Sequence, residues 1–476
     1  MIDRLKPYER YKPSGQPWLG DVPSHWDVKP NRALFSEVRD RDSGHEEMLS
    51  VTIARGVIRQ KALLSETSKK DSSRKDRSAY KLVRPGDIAY NKMRAWQGAV
   101  GVSAFRGIVS PAYVVMRPRH EHSARYFHEL FRTPAFAKEA ERWSYGITSD
   151  MWSLRPEHFK MIWSALPPPD EQAVIIRLLR YASRRIDSYI RGKRSLIALL
   201  NEQKQAIIHH AVTRGLDPNV PMRDSGVPWL GEIPTHWEAR RLKQCITPVE
   251  QGWSPQCEAQ PARIGEWGVL KVGCVNKDHF MPHQNKRLPQ SLRPRPSLEI
   301  RDGDILVSRA NTPELLGLAA LADQPRPRLL LCDKLFRFRP LEGQAAARFL
   351  VHVIRARPSR VQIESSTNGA SSSMQNIGQG VLRNLAVALP PLSEQKAICE
   401  HIAAHTRELV ETINRAEREI ALMREYGTRL VSDVVTGQLD VRAAARNLPP
   451  EEADAADVVG SDEILQDELG EEDAVA

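Results

Sequence analysis

Residues 165–217 begin with ALPPPDEQ and end with HAVTRGLD, and this stretch occurs twice in the chain. Residues 388–440, from ALPPLSEQ to SDVVTGQLD, repeat it at a constant offset of 223 positions and without a gap. Identities are densest at both ends of the stretch and thin out between them; those at the ends are Ala165, Leu166, Pro167, Pro168, Glu171 and Gln172 and then Val212, Thr213, Leu216 and Asp217. The chain therefore carries two copies of one structural element with a common length.

An apolar period of alternating four and three residues fills the middle of each copy, from position 186 to 207 and from 409 to 430. This is the heptad spacing of helices that pack along a shared seam. The prolines at 167–169 prevent an earlier start, and Glu171 and Glu394 place a negative charge at the positive end of each helix dipole. We predict two helices of about 40 residues that pack on each other; two unrelated amphipathic helices on separate cores are the alternative. The predicted packing residues are Ile186, Ile190, Ile197, Leu200, Ile207, Leu409, Ile413, Ile420, Met423 and Leu430.

A second repeated motif lies near the start of each half of the chain. SGQPWLGDVPSHWD at 14–27 returns as SGVPWLGEIPTHWE at 225–238, with nine of fourteen positions identical. The chain is therefore a tandem duplication. Trp18 and Trp26 stand among apolar and turn residues, so we expect them to pack a domain onto its helix rather than stack on bases.

Between the repeated motifs lie two segments, 28–164 and 239–387, whose sequences differ strongly. Short matches remain: VRPGDIAY recurs as IRDGDILV, and YGITSDM recurs as NGASSSM. Strand-like runs such as GIVSPAYVVMRP and LLLCDKLFRFRP alternate with helical runs such as ARYFHELFRTPAFAKEAERW and AARFLVHVIRARPSRVQIE. Each segment is predicted to be a mixed α/β domain of about 150 residues.

Composition indicates a globular protein with an anionic partner. The 476 residues are 41% hydrophobic, and no run of 18 apolar residues or N-terminal leader occurs, so we expect a cytoplasmic protein without membrane contact. Residues 451–476 hold eleven Asp or Glu and no Lys or Arg, so the net charge of +10 becomes +21 for residues 1–450. A body this basic favours nucleic acid as the partner; a soluble basic protein with scattered lysines is the alternative.

The sequence holds none of the common motifs for catalysis or metal binding. The chain has no GxxxxGK[ST] loop, no glycine-rich nucleotide fingerprint and no Asn/Asp-Pro-Pro-aromatic tetrapeptide. Glu394-Gln395-Lys396 lies at a helix start, where the acid has a structural role. Five cysteines form no CxxC pair, and Cys274, His279 and His283 lack a fourth ligand. We therefore predict no catalytic residues and no metal site, and binding rather than catalysis.

The two repeated motifs, the GDI turn and the G-x-x-S-x-M stretch together resemble the specificity subunits of Type I restriction-modification systems, over residues 11–442. The resemblance implies two mixed α/β target recognition domains in tandem, each followed by a long helix. The two helices would pack as an antiparallel coiled coil with pseudo-two-fold symmetry. Each domain would recognise one half of a bipartite sequence in double-stranded DNA. A self-contained DNA methyltransferase or nuclease, and a scaffold that binds no DNA, are the alternatives.

Partners and cofactors follow from the same resemblance. Two modification subunits, which bind S-adenosylmethionine and methylate adenine, would dock on the chain, and restriction subunits would join them for cleavage that uses ATP and Mg²⁺. The chain itself would hold no cofactor. The implied boundaries are 1–164 for target recognition domain 1, 165–217 for spacer helix 1, 218–387 for a linker and target recognition domain 2, 388–442 for spacer helix 2, and 443–476 for an acidic, disordered tail.

Candidate DNA-binding residues are the polar ones that follow each GDI turn, since Arg, Lys, Asn and Gln can address guanine or adenine edges. Solvated loop residues are the alternative reading of the same side chains. Ser149 and Ser372, in matched positions, are predicted to contact phosphate or backbone rather than bases. The candidates in the two loops are Asn91, Lys92, Arg94 and Gln97 in the first domain and Ser308, Arg309 and Asn311 in the second.

Overall fold

A computed structural model of the chain describes residues 5–41, 46–62, 79–119, 123–147, 151–276, 279–367 and 375–449. The chain divides into two compact units. The first unit comprises residues 1–195 and 416–476, and the second comprises residues 196–415. Each long helix contributes one part to each unit, because the division falls within both helices.

The first unit is a mixed α/β domain followed by a long helix. Its four-stranded antiparallel sheet has the order β4-β11-β8-β9. Helices α2 (Ala124–Phe131) and α3 (Pro134–Arg142) are capped by Ser123 and Thr133, whose side chains accept hydrogen bonds from the first turn. The strands are β1 (Tyr11–Pro13), β2 (Asp21–Pro23), β3 (Asp27–Pro30), β4 (Phe35–Val38), β5 (Leu49–Thr52), β6 (Gly56–Arg59), β7 (Lys81–Val83), β8 (Ile88–Asn91), β9 (Val100–Val102), β10 (Gly107–Val109), β11 (Tyr113–Pro118) and β12 (Trp163–Leu166). The helices are α1 (Asn31–Leu34), α2 (Ala124–Phe131), α3 (Pro134–Arg142), α4 (Pro156–Met161) and the long α5 (Pro169–Arg214).

The second unit repeats the four-stranded sheet of the first with different side chains. Its four-stranded antiparallel sheet has the order β16-β23-β19-β21, and β15 pairs with β25 as β3 pairs with β12. The strands are β13 (Met222–Asp224), β14 (Glu232–Pro234), β15 (Glu238–Arg241), β16 (Glu250–Gln251), β17 (Gly268–Leu270), β18 (Asn285–Arg287), β19 (Ile305–Ser308), β20 (Ala310–Asn311), β21 (Ala319–Leu321), β22 (Leu329–Leu330), β23 (Leu335–Phe338), β24 (Gln375–Asn376) and β25 (Ala386–Leu389). The helices are α6 (Ala347–Arg355), α7 (Arg357–Glu364), α8 (Gln379–Arg383), the long α9 (Leu392–Val435) and α10 (Arg442–Arg446), of which α10 belongs to the first unit. The predicted mixed α/β fold class is confirmed.

Each unit has its own apolar core between sheet and helices. In the first unit, Phe35, Phe127, Phe131 and Phe159 are fully buried and meet edge to face or stacked. Aromatic pairs of this kind add free energy beyond the area they bury. The second core is more aliphatic and includes Leu350, Ile354, Val387 and Ile398, with Phe336, Phe338 and Phe349.

The two long helices pack together and run antiparallel, as the family resemblance implies. In the first unit, a Cβ at Gly427 on α9 would lie 3.3 Å from Ile186 on α5. Further along α5, Lys193 forms an ion pair of 2.7 Å with Glu419. Residue numbers thus rise on one helix as they fall on the other. All seam positions of the predicted heptads, from 186 to 207 and from 409 to 430, are buried or half-buried.

A carboxylate in the first turn of the long helix joins the two repeated motifs in each unit. Glu171, in the first turn of α5, accepts hydrogen bonds from the Tyr8 hydroxyl at 2.5 Å and from Trp26 Nε1 at 3.1 Å, and His25 Nε2 lies 2.7 Å away. Burial, and then the bond to Glu171, raise the pKa of Tyr8. The tryptophan therefore packs a domain onto its helix, as the sequence predicts, and also donates to the acid at the helix start.

The second unit has the same arrangement with one donor fewer. Glu394, in the first turn of α9, accepts from Trp237 Nε1 at 3.1 Å, and His236 Nε2 lies 2.8 Å away. The neighbouring glutamines also match. Gln172 accepts from the backbone of Ser123 at 2.9 Å, and Gln395 accepts from the backbone of Ala346 at 2.8 Å. These contacts orient each domain on its long helix.

Within the first unit, the segment that follows α9 contacts the N-terminal copy of the SGxPWLG motif and the residues just before it. The Asp440 amide donates to the Lys6 carbonyl at 2.7 Å, and Gln438 Nε2 donates to the Asp21 carbonyl at 3.0 Å. Gly437 packs closely on Pro23, where a Cβ would come within 2.4 Å of the proline ring. Residues 436–440 thus contact the first copy of the SGxPWLG motif although they are far from it in the sequence. Residues 213–217 are connected to the second copy, at 225–238, directly along the chain.

Candidate nucleic-acid interface

The aspartate of each GDI turn is a structural residue that fixes the strand behind the candidate loop. Asp87 is buried, accepts from the backbone of Arg84 at 2.9 Å, and receives two hydrogen bonds from Arg117 at 2.8 and 2.9 Å. The hydrogen bond to Asp87 raises the pKa of Arg117. In the second unit, Asp304 closes its own turn in the same way and pairs with Arg339 at 2.6 Å. A paired and hydrogen-bonded carboxylate makes a rigid base for the loop that follows.

In the first unit, the candidate loop leaves strand β8 in a tight, hydrogen-bonded turn. Asn91 is half-buried, and its Oδ1 accepts from the Met93 amide at 3.0 Å. This side-chain turn occupies one acceptor of Asn91 and orients the loop. A short 3₁₀ helix, Ala95–Gln97, follows. Gln97 is exposed and Arg94 is half-buried.

In the second unit, Ser308 was predicted to bind DNA but is not accessible to it. Its side chain is fully buried. The hydroxyl donates to the Leu315 carbonyl at 2.6 Å and accepts from the Leu318 amide at 3.0 Å. Both functions of the hydroxyl are therefore used inside the domain. Arg309 and Asn311 are the candidates of this loop with access to solvent, since both are half-buried.

Arg309 and Asn311 are held by neighbours from distant parts of the chain. Arg309 Nη1 donates to the Asp333 carbonyl at 3.3 Å. Asn311 Nδ2 donates to Asn276 Oδ1 at 3.3 Å, and its own Oδ1 accepts from the Thr312 amide at 3.0 Å. Asn276 was not among the residues predicted from the sequence. The 35 positions that separate it from Asn311 carry no repeat that would have indicated the contact.

In both units the loop after the GDI turn is hydrogen-bonded to a residue three positions beyond the G-x-x-S-x-M stretch. The Leu154 amide donates to the Lys92 carbonyl at 2.9 Å. At the matched positions of the second unit, the Ile377 amide donates to the Arg309 carbonyl at 3.0 Å. The same backbone contact thus fixes a cationic residue at the matched loop position of each unit, Lys92 in the first and Arg309 in the second. The predicted residues Ser149 and Ser372 lie outside the described residues.

Further cations that the sequence reasoning missed lie beside Lys92. Arg41 pairs with Lys81 through a backbone bridge, and Lys81 Nζ donates to the Tyr113 carbonyl at 2.7 Å. Burial, and then the positive charge of Lys92, lower the pKa of Lys81. A bound anion such as a phosphate reduces the electrostatic repulsion between positive charges that are clustered in this way. The place of Lys81 just before the GDI motif was the signal available in the sequence.

The three residues of the C-x4-H-x3-H string, Cys274, His279 and His283, differ in their exposure. Cys274 is fully buried, burial raises the pKa of its thiol, and His279 and His283 are exposed. Within the described ranges, no group of three or more His, Cys, Asp or Glu side chains could hold a metal ion. Across the same part of the chain, no helix is long and apolar enough to cross a membrane.

Comparison with known proteins gives relatives of one kind. The chain is 31% identical over 208 residues to the Type I restriction enzyme EcoEI specificity subunit of Escherichia coli, an alignment that covers 44% of this chain and 35% of that protein. It is 26% identical over 376 residues to the MjaVIII specificity subunit of Methanocaldococcus jannaschii, covering 76% of this chain and 81% of that protein. No protein-family model matches the chain.

A solved structure shares the fold. A chain from a study of complex assembly and conformational transition in a type I R-M system superposes with a TM-score of 0.57 at 14% identity. The superposition covers 87% of this chain and 98% of that one. At this identity the likeness supports the fold alone.

Proposed function

We propose that this chain, which belongs to the family of Type I restriction enzyme specificity subunits, recognises a bipartite DNA sequence through its two α/β domains. Domain 1 would span residues 1–164 and domain 2 residues 218–387. The observation that carries the proposal is the matched loop contact in the two units, which presents Lys92 in one and Arg309 in the other. Two loops of equal backbone geometry and different side chains suit the recognition of two different half-sites.

Charge supports DNA as the ligand. The net charge of +21 over residues 1–450 favours a polyanion, and the cations Arg41, Lys81 and Lys92 gather at one edge of the first domain. Phosphate contacts would supply most of the affinity, and a few side chains in each loop would supply base preference. Arg94, Gln97 and Asn311 are the proposed base contacts beside Lys92 and Arg309. Asn91 contributes by shaping its loop.

The proposal includes partners that carry out the chemistry. Two modification subunits would dock on the chain, one for each copy of the repeated motifs, and restriction subunits would join the assembly. S-adenosylmethionine, ATP and Mg²⁺ would bind to those partners. The duplicated contacts at Glu171 and Glu394 support two docking surfaces of equal construction, because each orients a domain on its helix in the same way.

The experiment is a salt titration of DNA binding by the chain in complex with its modification partner. Lys92→Ala and Arg309→Ala should each weaken binding. Loss of a phosphate contact flattens the plot of log affinity against log salt by about one unit. Loss of a base contact instead relaxes preference at one base pair, at a cost of roughly 1–3 kcal/mol.

Lys396→Ala is the matched control, because Lys396 is exposed on α9 and the first copy of the repeat carries Ala173 at the same place. Its affinity and salt slope should equal those of the parent chain. A complex that binds all DNA sequences equally would contradict the proposed function. If Lys92→Ala and Arg309→Ala both leave the affinity, the base preference and the salt slope unchanged, the two loops are not part of the DNA interface.

A further inference from the structure

Four large apolar side chains of the first domain are exposed on two neighbouring segments. They form what we name the apolar rim: Met93, Tyr145, Ile147 and Met151, with 37%, 60%, 91% and 50% of their surfaces exposed. Single exposed apolar residues are ordinary on protein surfaces, whereas a group of them marks a contact site. The rim lies beside the candidate DNA loop, since Met93 directly follows Lys92 in that loop.

Hydrogen bonds and packing hold the two segments of the rim together. Tyr145 and Ser153 exchange backbone hydrogen bonds of 3.1 and 3.4 Å. A Cβ at Gly146 would come within 2.5 Å of the Met151 carbonyl, so only glycine permits this approach. These contacts fix Tyr145, Ile147 and Met151 beside one another.

Two tryptophans attach the loop that carries Met93 to the segment that carries Tyr145, Ile147 and Met151. Trp96 Nε1 donates to the Met93 carbonyl at 2.9 Å. The Trp96 ring meets the Trp152 ring edge to face at 5.4 Å. Met93 is therefore anchored on the segment that carries the other three side chains of the rim. The rim is a built feature of the folded domain.

At three of the four matched positions the second domain has smaller or polar residues, and at the fourth Met151 is matched by Met374. Met93 corresponds to Ala310, which is buried, Tyr145 to Asn368, and Ile147 to Ala370. The GDI turn and the G-x-x-S-x-M pattern occur in both halves. The two domains therefore differ at the rim positions rather than in these motifs. A contact made by the rim therefore belongs to the half-site of the first domain alone.

We propose that the apolar rim contacts the C5-methyl groups of thymines in the half-site bound by the first domain. The inference rests on the proposed function and adds the chemical group that is recognised. The thymine methyl is the apolar group that a base pair presents in the major groove, and side chains that touch it are apolar. Lys92 and Arg94 flank the rim, which favours a polyanionic partner over an apolar protein surface.

The test replaces each thymine of the mapped target with deoxyuridine, one at a time, and measures competition binding by the complex with its modification partner. Removal of one buried methyl should weaken binding about fourfold at one or more positions of a single half-site. A double variant, Met93→Ala with Ile147→Ala, should bind thymine and uracil duplexes equally at those positions. Ile264→Ala is the control, because Ile264 is 98% exposed in the second unit. It should keep the parent preference.

Two further results separate this inference from the proposed function. Sequence-specific binding with equal affinity for thymine and uracil throughout the target would overturn the rim contact and leave the function standing. The same holds if the double variant, assembled with its modification partner, keeps the parent preference for thymine. Binding without any sequence preference would overturn the proposed function instead.

Discussion

Glu171 and Glu394 each combine a helix start with a set of side-chain donors. The Glu171 side chain is 7% exposed and the Glu394 side chain is 26% exposed. Hydrogen bonds to a buried charged group contribute more than neutral ones, and a carboxylate is further stabilised at the positive end of a helix. The identity of the helix-start acid was predictable from the prolines before it. Its donors were not, because His25 and Trp26 lie 146 and 145 positions away in the sequence.

The two glutamates allow a matched pair of substitutions. Glu171→Gln should lower the free energy of unfolding by about 2 kcal/mol, because a buried charge with three partners is lost. Glu394→Gln should cost about half of that, since its carboxylate has two partners and is more exposed. Urea denaturation of both variants is the measurement, and the exposed Glu232→Gln is the control. A larger loss at Glu394 than at Glu171 would contradict this assignment.

His128 on α2 makes the first unit sensitive to acid. Its Nδ1 accepts from the Val102 amide at 3.1 Å, which requires that nitrogen to be unprotonated. Burial, and then the charges of Arg132 and Arg125, lower the pKa of His128 to about 3. The pKa in the unfolded chain is about 6.5, so the stabilisation is fully present above pH 6.5 and is lost as the pH falls toward 3.

The expected loss for His128 at pH 5 is about 2 kcal/mol relative to pH 7. His128→Asn keeps an acceptor and removes the titration, so its stability should change less over the same interval. Urea midpoints at pH 7 and pH 5 for both chains give the comparison. Equal losses in the parent chain and in the variant would show that His128 does not cause the acid sensitivity.

The long helices are the elements that the sequence predicted best. The apolar period is the same in both copies even at positions where the residues differ, because a shared packing seam constrains apolarity and spacing rather than particular residues. The helices are somewhat longer than expected, at 46 and 44 residues. Helix α5 begins at Pro169, and Asp170 and Glu171 lie in its first turn. Proline is favoured at this first position, where its missing amide would have no partner.

Two glycines inside the helices allow a test of the seam. Gly427 lies on α9, where an added Cβ would meet the flexible end of Ile186 at 3.3 Å, whereas an added Cβ at Gly192 on α5 would meet nothing within 4 Å. Gly192→Ala should stabilise the chain by about 0.5–1 kcal/mol through helix propensity alone. Gly427→Ala should give a similar gain, measured by urea denaturation. A net loss at Gly427 would mean that the helices need its close approach.

The loops after the two GDI turns mark the limit of what the sequence could predict for the candidate site. The residues that follow the GDI turns could be found because the turn is repeated, and Lys92 and Arg309 indeed occupy matched backbone positions. Ser308 could not be distinguished from an accessible residue, since its burial depends on Leu315 and Leu318 in the next turn. Contacts between segments of unrelated sequence, such as Asn311 with Asn276, leave no pattern in a single chain.

The duplication has its main consequence for the molecule as a whole. Each unit has its own core, its own four-stranded sheet and its own loop, and the repeated motifs join each domain to its helix by the same contacts. The constant motifs suit partners that are the same for both halves. The differing segments suit two half-sites that are not the same. On this account, a domain can be exchanged without disturbing the base preference of the other.

The most direct test replaces residues 28–164 with the corresponding segment of a relative that has a different target. The exchanged chain is expressed with its modification partner, and methylated sites in the host genome are mapped. The account predicts that one half-site changes to that of the relative while the other half-site stays the same. A target with altered bases in both halves, or one that is unchanged in both, would contradict the claim that each domain recognises its own half-site.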